Sequence, residues 1–86
     1  MNVYVPGPLR SYTRERAQVQ VQGTTVGAAL ADLERQFPGI RFRIINEQDR
    51  IREHIRIFVN QEPAERLETP LKESDVLHII AALSGG

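Results

Sequence analysis

Val76-Leu77-His78-Ile79-Ile80-Ala81-Ala82-Leu83 runs directly into Ser84-Gly85-Gly86, where the sequence stops. The eight-residue run has no proline and is apolar at nearly every position. That predicts the central strand of a sheet, covered on one face and open on the other. Only Ser84 separates it from the two glycines. Glycine has no Cβ and takes extended or strained backbone conformations freely. The stretch therefore reads as a core strand carrying a thin, flexible Ser84–Gly86 arm tipped by its carboxylate, able to enter a narrow channel on another protein.

A central strand needs neighbours and a cover, and the earlier sequence supplies both. Ile55 to Asn60 predicts a strand with Ile55, Ile57 and Val59 on one face and Arg56 and Phe58 on the other. Ala17 to Gln22 alternates apolar and polar residues at the period of a half-buried strand, and Gly23 ends it. Asn2 to Val5 is a short run of β-formers stopped by Pro6-Gly7-Pro8. Between these strands, Val26, Ala29, Leu30, Leu33 and Phe37 fall at helical spacing. Thr24-Thr25 offers a cap at the start, and Pro38-Gly39 a stop at the end. The helix is expected from Val26 to Phe37.

Other segments read less sharply. Ile40 to Ile45 alternates like a strand, yet follows a helix stop closely. It fits a strand or a short helical turn that lays Phe42 and Ile45 on the core. Leu9 to Arg16 and Gln61 to Glu68 read as loops, the first open to a short helical turn and the second with Leu67 as an anchor. Thr69-Pro70-Leu71 reads as a tight turn or very short strand, with Leu71 plugging the core. Lys72 to Asp75 is a further turn. Strand, strand, helix, strand, strand suggests a two-layer α+β domain. The first and last strands can then lie parallel, with the helix in the crossover, the β-grasp arrangement seen in ubiquitin.

Composition narrows the function classes. Eleven basic and eleven acidic side chains cancel, so no global basic field invites nucleic acid. There are no cysteines, which excludes disulfides, thiolate metal sites and a cysteine nucleophile. No apolar run approaches the roughly 20 residues of a membrane span, and no signal-peptide leader is visible. A cytoplasmic location, with neither membrane nor nucleic-acid partners, is the expectation. No motif for nucleotide, metal or nucleophilic chemistry appears.

The whole chain resembles the MoaD/ThiS family of ubiquitin-like sulfur carriers. The residues that carry the resemblance are Thr25-Val26 with Leu30 and Leu33, then Phe58-Val59-Asn60, Pro70-Leu71, Ser74-Asp75 and the final Gly85-Gly86. It implies a ubiquitin-like β-grasp fold, a mixed sheet of four to five strands with one main helix on one face. Residues 1–83 would form the domain and 84–86 the flexible tail. Three departures stand out. Family members usually have Gly-Asp where this chain has Ser74-Asp75, which would strain Ser74 if that position needs a positive φ. Many have proline where Ala81-Ala82 stands, and glycine often follows the position of Asn60, here Gln61.

The resemblance also implies the chemistry. Gly86 would be adenylated by a ubiquitin-activating-type enzyme that uses ATP and Mg, and sulfur would then replace the adenylate to give a thiocarboxylate. Ser84 and Gly85 would thread the partner's site. Phe58, Ile80 and Leu83 would form an apolar docking patch on the outer sheet face. The chain itself would bind no cofactor or metal and would be no enzyme. Its partners would be the activating enzyme, a sulfur donor enzyme, and an acceptor. The acceptor would be a cysteine synthase-like enzyme, a molybdopterin synthase large subunit, or a thiamin thiazole pathway. The stretch Gln48 to Asn60 resembles the cysteine-route carriers more than the short thiazole ones. A ubiquitin-like modifier that forms isopeptide bonds and a plain interaction domain are the alternatives.

The remaining polar residues read as surface. His54 and His78 are far apart and have no acidic constellation around them, although His78 next to the patch could tune docking with pH. Arg41, Arg43, Arg50, Arg52 and Arg56 read as a solvated stripe offset by Glu47, Asp49 and Glu53. Asp32, Glu34, Glu65 and Asp75 read as caps and surface charge.

Overall fold

The computed structural model describes residues 1–82. The elements run β1 (Asn2–Tyr4), a 3-10 turn (Gly7–Leu9), β2 (Gln18–Gln20), α1 (Val26–Gln36), α2 (Ile40–Ile44), β3 (Ile55–Val59), β4 (Glu62–Pro63) and β5 (Val76–Ala81). One five-stranded sheet has the order β2-β1-β5-β3-β4. The apolar β5 is therefore central, as its composition predicts. It pairs parallel with β1, Val3 opposite Leu77, and antiparallel with β3, Ile57 opposite Ile79.

Alternation decides which side chains meet α1. Val3, Val19, Ile57, Leu77 and Ile79 point inward and are buried. From α1, Val26, Ala29, Leu30 and Leu33 meet them at helical spacing, and Phe37 closes the end. Leu71 is buried, as a plug should be.

The start of α1 has free N–H groups that need acceptors. The Thr25 hydroxyl accepts from Ala28 N at 3.1 Å. Leu67 and Thr69 carbonyls take Gly27 N and Val26 N at 2.9 and 3.0 Å. The polar 64–70 segment is thus fixed to the helix by its own backbone. Gly23 lies so close to α1 that a Cβ there would stand 2.5 Å from Ala29 N.

One segment takes the helical alternative that the sequence left open, apart from its placing of Phe42, and another departs from its loop reading. Ile40–Ile44 is helical, with Gly39 at φ 100° turning the chain after α1. Its buried residues, Ile40 and Ile44, with Ile45 just beyond, make the core contact. Phe42 does not: it is 56% exposed, because one helical turn puts it on the opposite side from Ile40 and Ile44. Glu62–Pro63 pairs with β3 although the sequence reads as loop there. An edge strand tolerates Pro63 because no further strand needs its missing N–H. Leu67 is half-buried, in keeping with an anchor.

Three carboxylates hold the turns. Asp32 accepts from Gln22 N at 2.9 Å and is also bonded by Arg35 and Gln36. Glu34 accepts from Gly39 N and Arg41 N at 2.8 and 2.9 Å, capping α2. Asp75 accepts from Lys72 N at 2.7 Å and Asn60 Nδ2 at 2.9 Å. Asn60 sits at φ 57° and bonds both backbone groups of Val76. This clasp explains the Asn60 and Asp75 motif positions structurally. Ser74 is not among the residues with positive φ, so the strain considered for it is absent.

These bonds hold all three carboxyls below the usual carboxylate range. The leading cause is the backbone donor in each case: Gln22 for Asp32, Gly39 for Glu34 and Lys72 for Asp75. A carboxyl whose folded pKa is depressed stabilises fully above its unfolded value, about 4, and loses that contribution as pH falls through the folded value. Urea midpoints for Asp75→Asn should therefore lie below those of the parent at pH 7 and converge on them as the pH falls below about 4. Gly23→Ala should cost about 1–3 kcal/mol or more through overpacking. Gly7→Ala, with no atom within 4 Å of the added Cβ, should change stability far less. Thermal melts of both variants check this pair.

Candidate functional site

The face of the sheet away from α1 is built by the other half of each alternation. At one level the strands align Gln18, Tyr4, His78, Phe58 and Pro63 in successive register across all five strands. At the next level Ile80 lies opposite Arg56. At the far end Gln20, Asn2 and Val76 align, and the Gln20 amide donates to Asn2 Oδ1. The face is thus polar where β5 begins. Towards the other end of β5 it carries the exposed Ile80 with Arg56 beside it.

Ile80 is 48% exposed and Tyr4 41%, among the most exposed large apolar side chains. Tyr4 and His78 stack with ring centroids 5.0 Å apart and planes within 5°. Phe58 is half-buried between its neighbours His78 and Pro63. The predicted strand phase is correct: Leu77 and Ile79 face α1, while His78 and Ile80 face out. The structure therefore brings Phe58 and Ile80 onto one surface. Leu83, Ser84, Gly85 and Gly86 lie outside the described residues.

Two members of this surface are missing from the sequence reading. Tyr4 lies between the buried Val3 and Val5, so the period of two already turned it outward. What the period could not show was which strand lies beside it. Pro63 was hidden because β4 reads as loop. Beyond the patch, Ala82 N donates to His54 O at 2.8 Å, fixing the last described residue beside the start of β3.

The arginine stripe is largely engaged within the fold. Arg43 Nε donates to the Tyr12 hydroxyl at 2.8 Å, and its guanidinium lies over the ring. Arg52 Nε donates to Phe42 O at 2.7 Å, with its guanidinium 4.6 Å from the Phe42 ring centre. Arg41 reaches Asp49 at 3.4 Å. Arg56 donates to Glu53 O and Ile55 O. An open groove of about 1040 Å³ beside β3 has both arginines and carboxylates on its rim and no converging set of catalytic groups. Among the described residues, no three His, Asp or Glu side chains gather at metal-binding range, and no helix is long and apolar enough to cross a membrane.

The geometry has close counterparts. The family model described as the ThiS family matches residues 3–86. The sulfur carrier protein CysO of Mycobacterium tuberculosis is 30% identical over 91 residues, covering 100% of this chain and 98% of its own. A chain in the crystal structure of the BexX/CysO complex of Amycolatopsis orientalis is similar at TM-score 0.91 and 32% identity. That match covers 99% of this chain and 98% of that one. The small archaeal modifier protein SAMP1 of Haloferax volcanii is similar at TM-score 0.79 and 28% identity, over 100% and 98% of the two chains.

The outward phase of β5 has a direct test. Ile79→Ala should cost about 2–5 kcal/mol by opening a core cavity. Ile80→Ala, on the exposed face, should stay within about 1 kcal/mol of the parent. Equilibrium unfolding in urea measures both.

Proposed function

The chain belongs to the ThiS family, and on that premise we propose that it is a sulfur carrier. It acts with partner enzymes and is not itself a catalyst. The carrying observation is the placement of an exposed apolar patch on the strand that leads into Ser84-Gly85-Gly86. A partner that docks on Phe58, Ile80 and Leu83 receives the arm at a fixed point, because Ala82 is already hydrogen-bonded to His54. The full-length similarity to relatives named sulfur carrier protein CysO supports this reading.

In this proposal a ubiquitin-activating-type enzyme joins the Gly86 carboxylate to AMP, using ATP and Mg bound by that enzyme. A carboxylate is a poor electrophile, and adenylation gives its carbonyl a good leaving group. Sulfide-level sulfur from a donor enzyme attacks that carbonyl, AMP departs, and a thiocarboxylate remains. Ser84 and Gly85 pass through the partner's channel, where water is kept from the adenylate. The acceptor is a cysteine synthase-like enzyme or a larger synthase subunit such as that of molybdopterin synthase. The similarity to CysO, together with the Gln48–Asn60 stretch, favours the first.

The test is intact-mass analysis after incubation with ATP, Mg, an adenylating enzyme active on a related carrier, and sulfide. The expected result is a gain equal to replacing one oxygen by sulfur, mapped to Gly86. An unmodified terminus beside a modified control carrier rejects the reading. Ile80→Asp should weaken docking to the activating enzyme at least tenfold while leaving the melting curve near that of the parent. Similarity to SAMP1 favours one second reading, a protein modifier. It predicts higher-mass lysine conjugates on a blot for the tagged chain.

A further inference from the structure

The two ends of the sheet carry opposite charge. At the end towards which β5 runs lie residues 6–17, between β1 and β2, and residues 52–56, which lead into β3. They hold Arg10, Arg14, Arg16, Arg52 and Arg56 against Glu15 and Glu53. At the end where β5 begins, Glu62, Glu73 and Asp75 stand against Lys72 and the Met1 ammonium. The zero net charge of the chain conceals this division. Among the described residues, the ion pairs join Arg35 to Asp32, Arg41 to Asp49 and Arg66 to Glu68, and none involves the five arginines. Neutral acceptors orient three of them. Arg10 Nε donates to Val5 O at 2.9 Å, Arg52 Nε to Phe42 O at 2.7 Å, and Arg56 to Glu53 O at 2.7 Å. A carbonyl fixes a guanidinium without cancelling its charge.

The turn at residues 13–16 is built to display charge. Arg14 and Glu15 have φ of 56° and 63°, a left-handed pair that residues with a Cβ rarely adopt. Arg16 N donates to Thr13 O at 3.1 Å, closing a tight turn whose centre asparagine and glycine usually fill. Thr13 is fully buried, and its hydroxyl donates to Arg16 O at 2.8 Å. A buried hydroxyl thus holds shut a strained turn whose Arg14, Glu15 and Arg16 are all exposed. Backbone strain persists where the surroundings over-determine it, and it gathers at functional surfaces. Register sets this turn beside the outward apolar face. Val5 N donates to Ala17 O at 2.8 Å, so β1 and β2 stay in step past Tyr4 and Gln18. One residue further, Pro6 and Arg16 come level with Ile80, which has Arg56 opposite it on β3. The exposed Ile80 therefore has an arginine to each side of it.

We propose that this end of the outward face docks an acidic protein surface. Ile80 enters an apolar recess on the partner, while Arg56 and the Arg16 fixed by the Thr13 turn meet carboxylates on its rim. The proposal names the partner's chemistry for the docking face put forward above, and it rests on that reading of the face. Exposed arginines orient and speed the encounter, and the apolar centre supplies the desolvated contact. Glu15 and Glu53, set among the arginines, disfavour a phosphate backbone as the occupant.

The experiment titrates the isotope-labelled full chain by NMR with a synthetic peptide that has leucine and phenylalanine at its centre and glutamates on both sides. The controls are the same peptide with lysines in place of the glutamates, and an oligouridylate RNA of equal charge. No activating enzyme is used, so failure of the sulfur-carrier reading leaves the result standing. The acidic peptide should shift amides around Arg16, Arg56 and Ile80, and its affinity should fall about tenfold between about 0.02 and 0.2 M salt. Both controls should bind more weakly. Arg16→Glu and Arg56→Glu should each weaken the acidic peptide by about threefold or more. Arg66→Glu changes the net charge equally but lies in another ion pair, and should weaken it less than about twofold. Thr13→Val keeps every charge and should still weaken binding by about twofold or more while core amides stay in place, because the turn loses its lock. No binding of the acidic peptide at low salt overturns the proposal, as do shifts centred elsewhere. So do tighter binding of either control, equal weakening by Arg66→Glu, and unchanged binding in Thr13→Val.

Discussion

The parallel pairing of β1 with β5 is the contact on which the rest depends. Val3 and Leu77 stand opposite each other in the middle of the sheet, both buried. A parallel pair cannot be closed by a hairpin and needs a long crossover. Everything from β2 to the turn before β5 serves as that crossover. It delivers α1 to one face and leaves the other bare. The same pairing places Tyr4 against His78 and so composes the exposed surface from residues 74 positions apart.

Polar side chains do a different job, and it is local. Asp32, Glu34 and Asp75 each accept a backbone N–H where the chain changes direction. Asn60 and Asp75, which carry part of the family resemblance, join the end of β3 to the start of β5. They lie where β5 begins, at the opposite end from Ala82, so they serve the fold rather than the chemistry. The outward patch is made of Tyr4, Phe58, Ile80 and Pro63, which share the sheet face away from α1.

Much of this was legible in the sequence because it rests on period. The α1 stripe, the Thr25 cap, the facing of Ile57 against Phe58, and the central position of β5 all follow from spacing and apolar content. What spacing misses is pairing. The alternation of Ile40 to Ile45 imitates a strand, and only Gly39 at φ 100° and the joint burial of Ile40, Ile44 and Ile45 make it helical. Pro63 reads as a breaker until β3 is seen to offer an edge. Tyr4 reads as a lone aromatic until β5 is beside it. The arginine cluster reads as charge for solvent, yet Arg43 and Arg52 are laid over Tyr12 and Phe42.

The outer strands, β2 and β4, are only three and two residues long. An unpaired edge is a template on which a second sheet can grow, and short edges or edge prolines suppress that growth. Here the interior of the sheet carries the sticky surface and the borders carry almost none. Association is thereby confined to face-on contacts, which can be released, and kept from edge-on contacts, which propagate into fibres. A protein that shows bare apolar side chains on one face of its sheet gains colloidal safety from the brevity of its margins.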